Sequence, residues 1–253
     1  MPRYFIELAY NGKTYHGWQM QQNGTSVQAT LDDALSKLLR TPTFCVGCGR
    51  TDAGVHASKY YAHFDTENPI DDSTLFLFKI NRILDQYIAI KRLIEQVPPN
   101  AHARFDATYR AYDYYIHFQK NPFNDDFSYY YAWLPLDIAA MQQAANMLLN
   151  YNDFPMFCKT GGGAKTTLCT IYKSELHYNS QAQTLHFHIA ANRFLRGMIR
   201  LIVGALLMVG KQKLSLVEFK QTLENKDFRF AKLNISAPPQ GLFLSEVRYP
   251  YIE

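Results

Sequence analysis

The amino-acid sequence predicts an α+β fold built in two halves. Three observations carry this. Segments of alternating apolar and polar residues have strand length, apolar residues at the 3.6-residue period mark helices between them, and Pro98-Pro99-Asn100 interrupts the pattern. A boundary soon after that break divides the chain into 1–104 and 105–253, each of ordinary domain size. The 253 residues are 47% hydrophobic and 19% charged, a globular balance.

In the first half, Arg3 to Ala9 reads as a strand with no charged and apolar leader ahead of it, so no signal peptide is expected. Thr25-Ser26-Val27-Gln28 fits a capping box with Thr25 as the cap, and Val27, Leu31, Ala34, Leu35 and Leu38 follow at helical spacing. Tyr60 to Phe64 is a strand, Thr74 to Leu84 a helix and Ile88 to Val97 a strand. In the second half, the strand Thr108 to Phe118 puts Arg110, Tyr112, Tyr114, Ile116 and Phe118 on one face. Asp137 caps a helix running to about Leu149. Thr184 to Ala190 alternates as a half-buried strand. Helices are expected over Asn192 to Val209 and Leu216 to Leu223, and a strand over Leu242 to Tyr249. The longest apolar run, Met198 to Val209, is broken by Arg200 and too short to span a bilayer, so a soluble, cytoplasmic protein is expected.

The formal charge of +4 permits a nucleic-acid partner without demanding one. Cys45-x-x-Cys48 has metal-like spacing but no second pair, so no metal is expected and the thiols read as free. Lys159 to Thr166 lacks the glycine spacing of a phosphate-binding loop and reads as a mobile, basic surface loop.

Three features can carry chemistry. Asp52 lies among Gly47, Gly49 and Gly54, directly after Arg50 and Thr51; an isolated loop aspartate is ordinarily a turn former. Arg193, Arg196 and Arg200 form a stripe on the expected 192–209 helix, and Arg200, flanked by Ile199 and Leu201, needs an anionic partner, for which Asp52 is suited. Tyr112 and Tyr114 on a sheet face can stack on bases.

The segment Gly49-Arg50-Thr51-Asp52-Ala53-Gly54-Val55-His56-Ala57 resembles the catalytic loop of the TruA family of tRNA pseudouridine synthases. The likeness extends in family order over nearly the whole chain. It takes in Tyr10 to Gln19, Ser26-Val27-Gln28, Ala103 to Ala107, Arg110 to Tyr114, Asp153-Phe154 with Phe157, Phe194 to Gly204, and Gly241 to Leu244. Departures are Cys48 for a small residue, Tyr60-Tyr61 for a commoner Gly-Gln, the stretch around Asp85, and Asp113 where a basic residue is frequent.

The resemblance implies two α/β domains related by a pseudo-twofold, sharing a central antiparallel sheet flanked by helices, with a cleft between them. It implies isomerisation of uridine to pseudouridine at positions 38, 39 and 40 of the tRNA anticodon arm, by a homodimer with no cofactor. It makes Asp52 the essential aspartate, Arg200 its basic partner, Tyr112 the residue stacking on the target uracil, Arg50 the residue filling the stack, and Leu242 a pocket wall. Asp52 would start cleavage through a covalent sugar adduct or by assisting glycal formation. The competing readings are a synthase with another RNA target and a non-catalytic tRNA-binding or folding protein. A glycosidase would need a second, paired carboxylate, which the sequence does not offer.

Overall fold

The structure, a computed structural model, describes residues 1–133, 135–159 and 165–252. It is a mixed α/β chain whose strands pair mostly antiparallel and are flanked by helices. Two compact units emerge, Met1–Arg110 with Phe243–Glu253, and Ala111–Leu242.

In the first unit, β1 (Arg3–Tyr10) runs antiparallel to β3 (His56–Asp65) on one side and to β4 (Ile88–Ile94) on the other. Consecutive residues Tyr4 to Leu8 are buried, so both faces of β1 are covered. Glu7 sits within this run; its carboxylate accepts from the Tyr61 hydroxyl at 2.9 Å and faces Arg92 at 3.6 Å, which offsets its desolvation. The short β2 (Val46–Gly47) pairs with β3. On the edge of β3, β9 (Leu242–Arg248) adds in parallel, with His56 opposite Phe243 and Ala57 opposite Leu244.

Helix α1 (Val27–Leu39) buries Val27, Leu31, Ala34 and Leu35 as its period requires. Its cap is Ser26 rather than Thr25: Ser26 is extended and accepts from the Ala29 amide, while the Thr25 carbonyl is taken by the His16 amide. Helix α2 (Ser73–Ile83) is capped by Asp72.

In the second unit, β5 (Tyr109–His117), β8 (Thr184–Ala191) and β7 (Ile171–Asn179) lie side by side in that order. The two-residue β6 (Tyr129–Tyr130) adds to β5. Strand β7 has no counterpart in the sequence reading: of its nine residues only Ile171 and Ser174 are buried, and Ser174 interrupts the apolar series of Tyr172, Leu176 and Tyr178. The helices are α3 (Ile138–Met147, capped by Asp137), α4 (Met198–Gly210), α5 (Leu216–Glu224, with a Ser215/Glu218 capping box) and α6 (Arg229–Lys232).

The expected 192–209 helix begins six residues late. Asn192 still pairs as an extension of β8, its amide donating to Thr170 and its side chain accepting from Thr170. Gly197, at φ +67°, then turns the chain into α4. Arg193 and Arg196 therefore precede the helix, and the expected three-arginine stripe does not form on it. The expected loop at Lys159 to Thr166 falls largely outside the described residues. Among the described residues, no helix is long and apolar enough to cross a membrane.

Candidate active site

Asp52 lies in the loop joining β2 to β3, half-buried, with Arg50 exposed two residues earlier. The loop has no regular structure of its own, and its shape comes from what surrounds it. On one side stands the segment after β1. The Tyr10 hydroxyl bonds the Thr51 hydroxyl at 2.8 Å, the Trp18 amide donates to the Thr51 carbonyl, and the Gly54 amide donates to Tyr15. Two glycines permit this approach. A Cβ on Gly12 would stand 2.1 Å from the Val55 carbonyl oxygen, and one on Gly17, at φ +87°, would stand 2.4 Å from that of Thr51. The spacing Tyr10-x-Gly12 and the pair Gly17-Trp18 thus have a shared physical role. They bring a second backbone against both ends of the aspartate turn.

From below, Tyr60 on β3 is fully buried and donates from its hydroxyl to the Gly49 carbonyl at 2.5 Å. Its ring stacks on Trp18 at 4.1 Å. Burial raises the Tyr60 pKa well above the usual phenol value, so the hydroxyl stays a donor. Arg110 anchors the loop's start, donating to the carbonyls of Cys48, Arg104 and Ala107 at 2.9, 2.7 and 3.0 Å. His56 is a structural acceptor. Its Nδ1 accepts from the Gly12 amide at 3.0 Å and its ring stacks on Phe243.

The departures from the family pattern are absorbed locally. Tyr60 occupies space left by Gly47, where a Cβ would stand 2.1 Å from the hydroxyl. Asp85 accepts from the Tyr15 hydroxyl at 2.6 Å. The Cys48 thiol is pushed up to about 11 by burial, and the Cys45 thiol is raised by burial and then by Asp32. Both therefore remain protonated at neutral pH, poor metal or redox groups.

The remaining predicted residues belong to the second unit. Tyr112 on β5 is buried at 8% exposure, its ring edge-on to Phe194 at 5.3 Å. Arg200 lies in the first turn of α4. Its Nε donates to the Ala237 carbonyl at 2.7 Å, and the Ala237 amide returns a bond to the Arg200 carbonyl at 2.9 Å. The first bond holds the guanidinium at Nε, and the second ties the backbone of α4 to the segment before Pro238. The next residue, Pro238, is held by the Tyr114 hydroxyl at 2.8 Å, and burial raises the Tyr114 pKa so that it too remains a donor. Leu242 is buried at the end of the Pro239–Gly241 turn, its amide donating to Pro239. The sequence reading named Asp52, Arg50, Tyr112, Arg200 and Leu242 but gave no supporting role to Tyr10, Gly12, Gly17, Tyr60, Tyr114 or Ala237. The Tyr10 to Gln19 motif was the available signal for the first three.

The sequence pattern of the family described as tRNA pseudouridine synthase matches residues 144–250. "tRNA pseudouridine synthase A" of Parabacteroides distasonis is 46% identical over 252 residues, covering 99% of this chain and 97% of that protein. The proteins of the same name from Bacteroides thetaiotaomicron and Bacteroides fragilis are each 47% identical, covering 99% and 98% of this chain and 91% and 96% of their own lengths. A likeness of this strength along the full chain shows that it belongs to the tRNA pseudouridine synthase family.

Proposed function

We propose that this chain isomerises uridine to pseudouridine in tRNA, at positions 38, 39 and 40 of the anticodon arm. The observation that carries the reading is near end-to-end identity with proteins named tRNA pseudouridine synthase A, over a chain whose aspartate loop is held rigidly from two sides.

In this reading Asp52 and Arg200 are catalytic, and Tyr112, Arg50 and Leu242 bind the substrate. Flipping the target nucleotide costs a few kcal/mol, offset by stacking on Tyr112 and by Arg50 entering the vacated stack. The Asp52 carboxylate starts cleavage of the bond between ribose C1′ and uracil N1. The ring turns and rejoins through C5; C5 loses its proton, which in this reading Tyr112 helps to remove, and N1 gains one, so the product is an isomer and no redox partner or energy source is required. Arg200, its Nε tied to the Ala237 carbonyl, is in this reading the basic partner of Asp52.

The same reading includes domains 1–104 and 105–253 related by a pseudo-twofold, a cleft between them, a cytoplasmic site of action and a homodimer. The element order supports the twofold: β1-α1-β2-β3-α2-β4 is followed by β5-α3-β7-β8-α4-β9, once β6 and the helices α5 and α6 are set aside. Exposed aromatics such as Phe123 and Trp133 are suited to cover by a second copy.

The test is incubation of the purified protein with unmodified tRNA transcript, mapping pseudouridine by carbodiimide chemistry. Modification confined to positions 38–40, abolished in Asp52→Asn, is expected. Modification elsewhere, or full turnover by Asp52→Asn, rejects the reading.

A further inference from the structure

On β8 of the second unit, His186 and His188 are two residues apart and share one face of the sheet. Asp113 of the neighbouring β5 faces them. Its Oδ1 lies 2.7 Å from His186 Nε2 and 2.7 Å from His188 Nδ1, and all three donor atoms fall within 4.8 Å of one another. On the other side of β8, strand β7 places His177 directly opposite His186 and Glu175 directly opposite His188, on the same face. The Tyr115 ring stacks on His186 at 4.8 Å and 11°, which fixes the imidazole plane. The three central side chains are 14 to 33% exposed: sheltered, yet open to an ion from solvent. Among the described residues no other group of three such side chains meets in this way.

We infer that Asp113, His186 and His188 form a binding site for a borderline first-row divalent cation, of which Zn²⁺ is the type. Two imidazoles and one carboxylate are the wrong donors for Mg²⁺ or Ca²⁺, which take oxygen ligands, and the right ones for Zn²⁺ or Co²⁺. Two histidines alternating on one strand with a carboxylate from the next present three ligands and leave a position for water. Tetrahedral Zn²⁺ at about 2.0–2.1 Å from nitrogen needs donors about 3.3 Å apart. The two 2.7 Å contacts widen to that spacing by turning the Asp113 carboxylate, and small turns of the two imidazoles bring donors now within 4.8 Å of one another to it. In the metal-free form the same oxygen holds both rings by hydrogen bonds, so the site is assembled in advance. Glu175 and His177, 3.7 Å from each other, lie beside the triad on β7. The site is separate from the proposed isomerase residues and stands whether or not that reading holds.

The experiment is titration of chelator-treated full-length protein with Zn²⁺ against a chromophoric chelator, and separately with Co²⁺. One equivalent of Zn²⁺ bound at micromolar concentration is expected. His186→Ala, His188→Ala and Asp113→Ala should each weaken binding at least tenfold while far-UV circular dichroism without metal stays unchanged. The Co²⁺ adduct should show d–d absorption without thiolate charge transfer, which separates this site from the four cysteines. In wild-type protein labelled with ¹⁵N-histidine, Zn²⁺ should shift the His186 Nε2 and His188 Nδ1 resonances, a readout that needs no variant. Absence of stoichiometric binding, unchanged affinity in all three variants, thiolate charge transfer, or unmoved imidazole resonances would overturn the inference.

Discussion

The Tyr60 hydroxyl donates to the Gly49 carbonyl at 2.5 Å, three residues before Asp52, from a ring with no solvent exposure. Removing that donor leaves a sheltered carbonyl without its partner, a cost of about 1–3 kcal/mol. Tyr60→Phe keeps the stack on Trp18. The expected outcome is a fold that survives with a lowered melting temperature. Displacement of the aspartate should lower kcat by about ten- to a hundredfold, with little change in KM for tRNA. Equal kcat in the two proteins would remove Tyr60 from any positioning role.

Gly17 and Gly49 make a matched pair of tests. Gly17 has φ +87° and no room for a Cβ beside Thr51, whereas a Cβ on Gly49 meets nothing within 4 Å. The left-handed backbone alone costs a residue with a Cβ about 1–2 kcal/mol, before the clash is counted. Gly17→Ala should be clearly destabilised in urea and Gly49→Ala nearly neutral. The reverse order would contradict the loop packing described above.

Arg200→Lys retains a charge but not the Nε tie to Ala237. If a correctly oriented cation is what Asp52 needs, turnover on tRNA should fall in the order wild type, Arg200→Lys, Arg200→Met. The loss should lie mainly in kcat. A lysine variant as active as wild type would show that orientation is immaterial; an active methionine variant would end the pairing.

His63 supplies a pH dependence. Its pKa is lowered to about 4, first by burial and then by Arg3, and its Nδ1 accepts from the Ala103 amide. The folded protein thus refuses a proton that the unfolded chain accepts below about 6.5. Stability should therefore be at full strength above pH 6.5 and fall between pH 6.5 and 4, by up to about 3 kcal/mol from this group. His63→Asn keeps an acceptor and should flatten that slope in denaturant titrations. Parallel pH profiles would remove His63 as its source.

Much of this was legible in the sequence wherever one period or one local motif was enough. Strands β1, β3, β5, β8 and β9 and helices α1 to α5 lie near their expected places because their apolar faces repeat locally. Strand β7 was hidden because Ser174 interrupts its apolar series and only Ile171 and Ser174 of it are buried. The 192–209 helix was overextended because apolar periodicity cannot see a left-handed glycine at 197. The aspartate loop was found as a motif, but apart from Tyr60 its supports come from residues 33 to 62 positions away, such as Trp18, Tyr10 and Arg110. Only folded contacts reveal those. The same holds for Asp113 with His186, separated by 73 positions.

Strand β9 lies in parallel against β3, and all of it beyond Leu242 belongs to the unit formed by the first 110 residues. On the ribosome, that unit must wait until Ala111–Leu242 has been made before its sheet can close. Until then the β3 edge next to His56 is an unpaired template for other chains, and nascent-chain chaperones have reason to hold it. Circular permutants that begin at Phe243 would put the closing strand first and should relieve that delay.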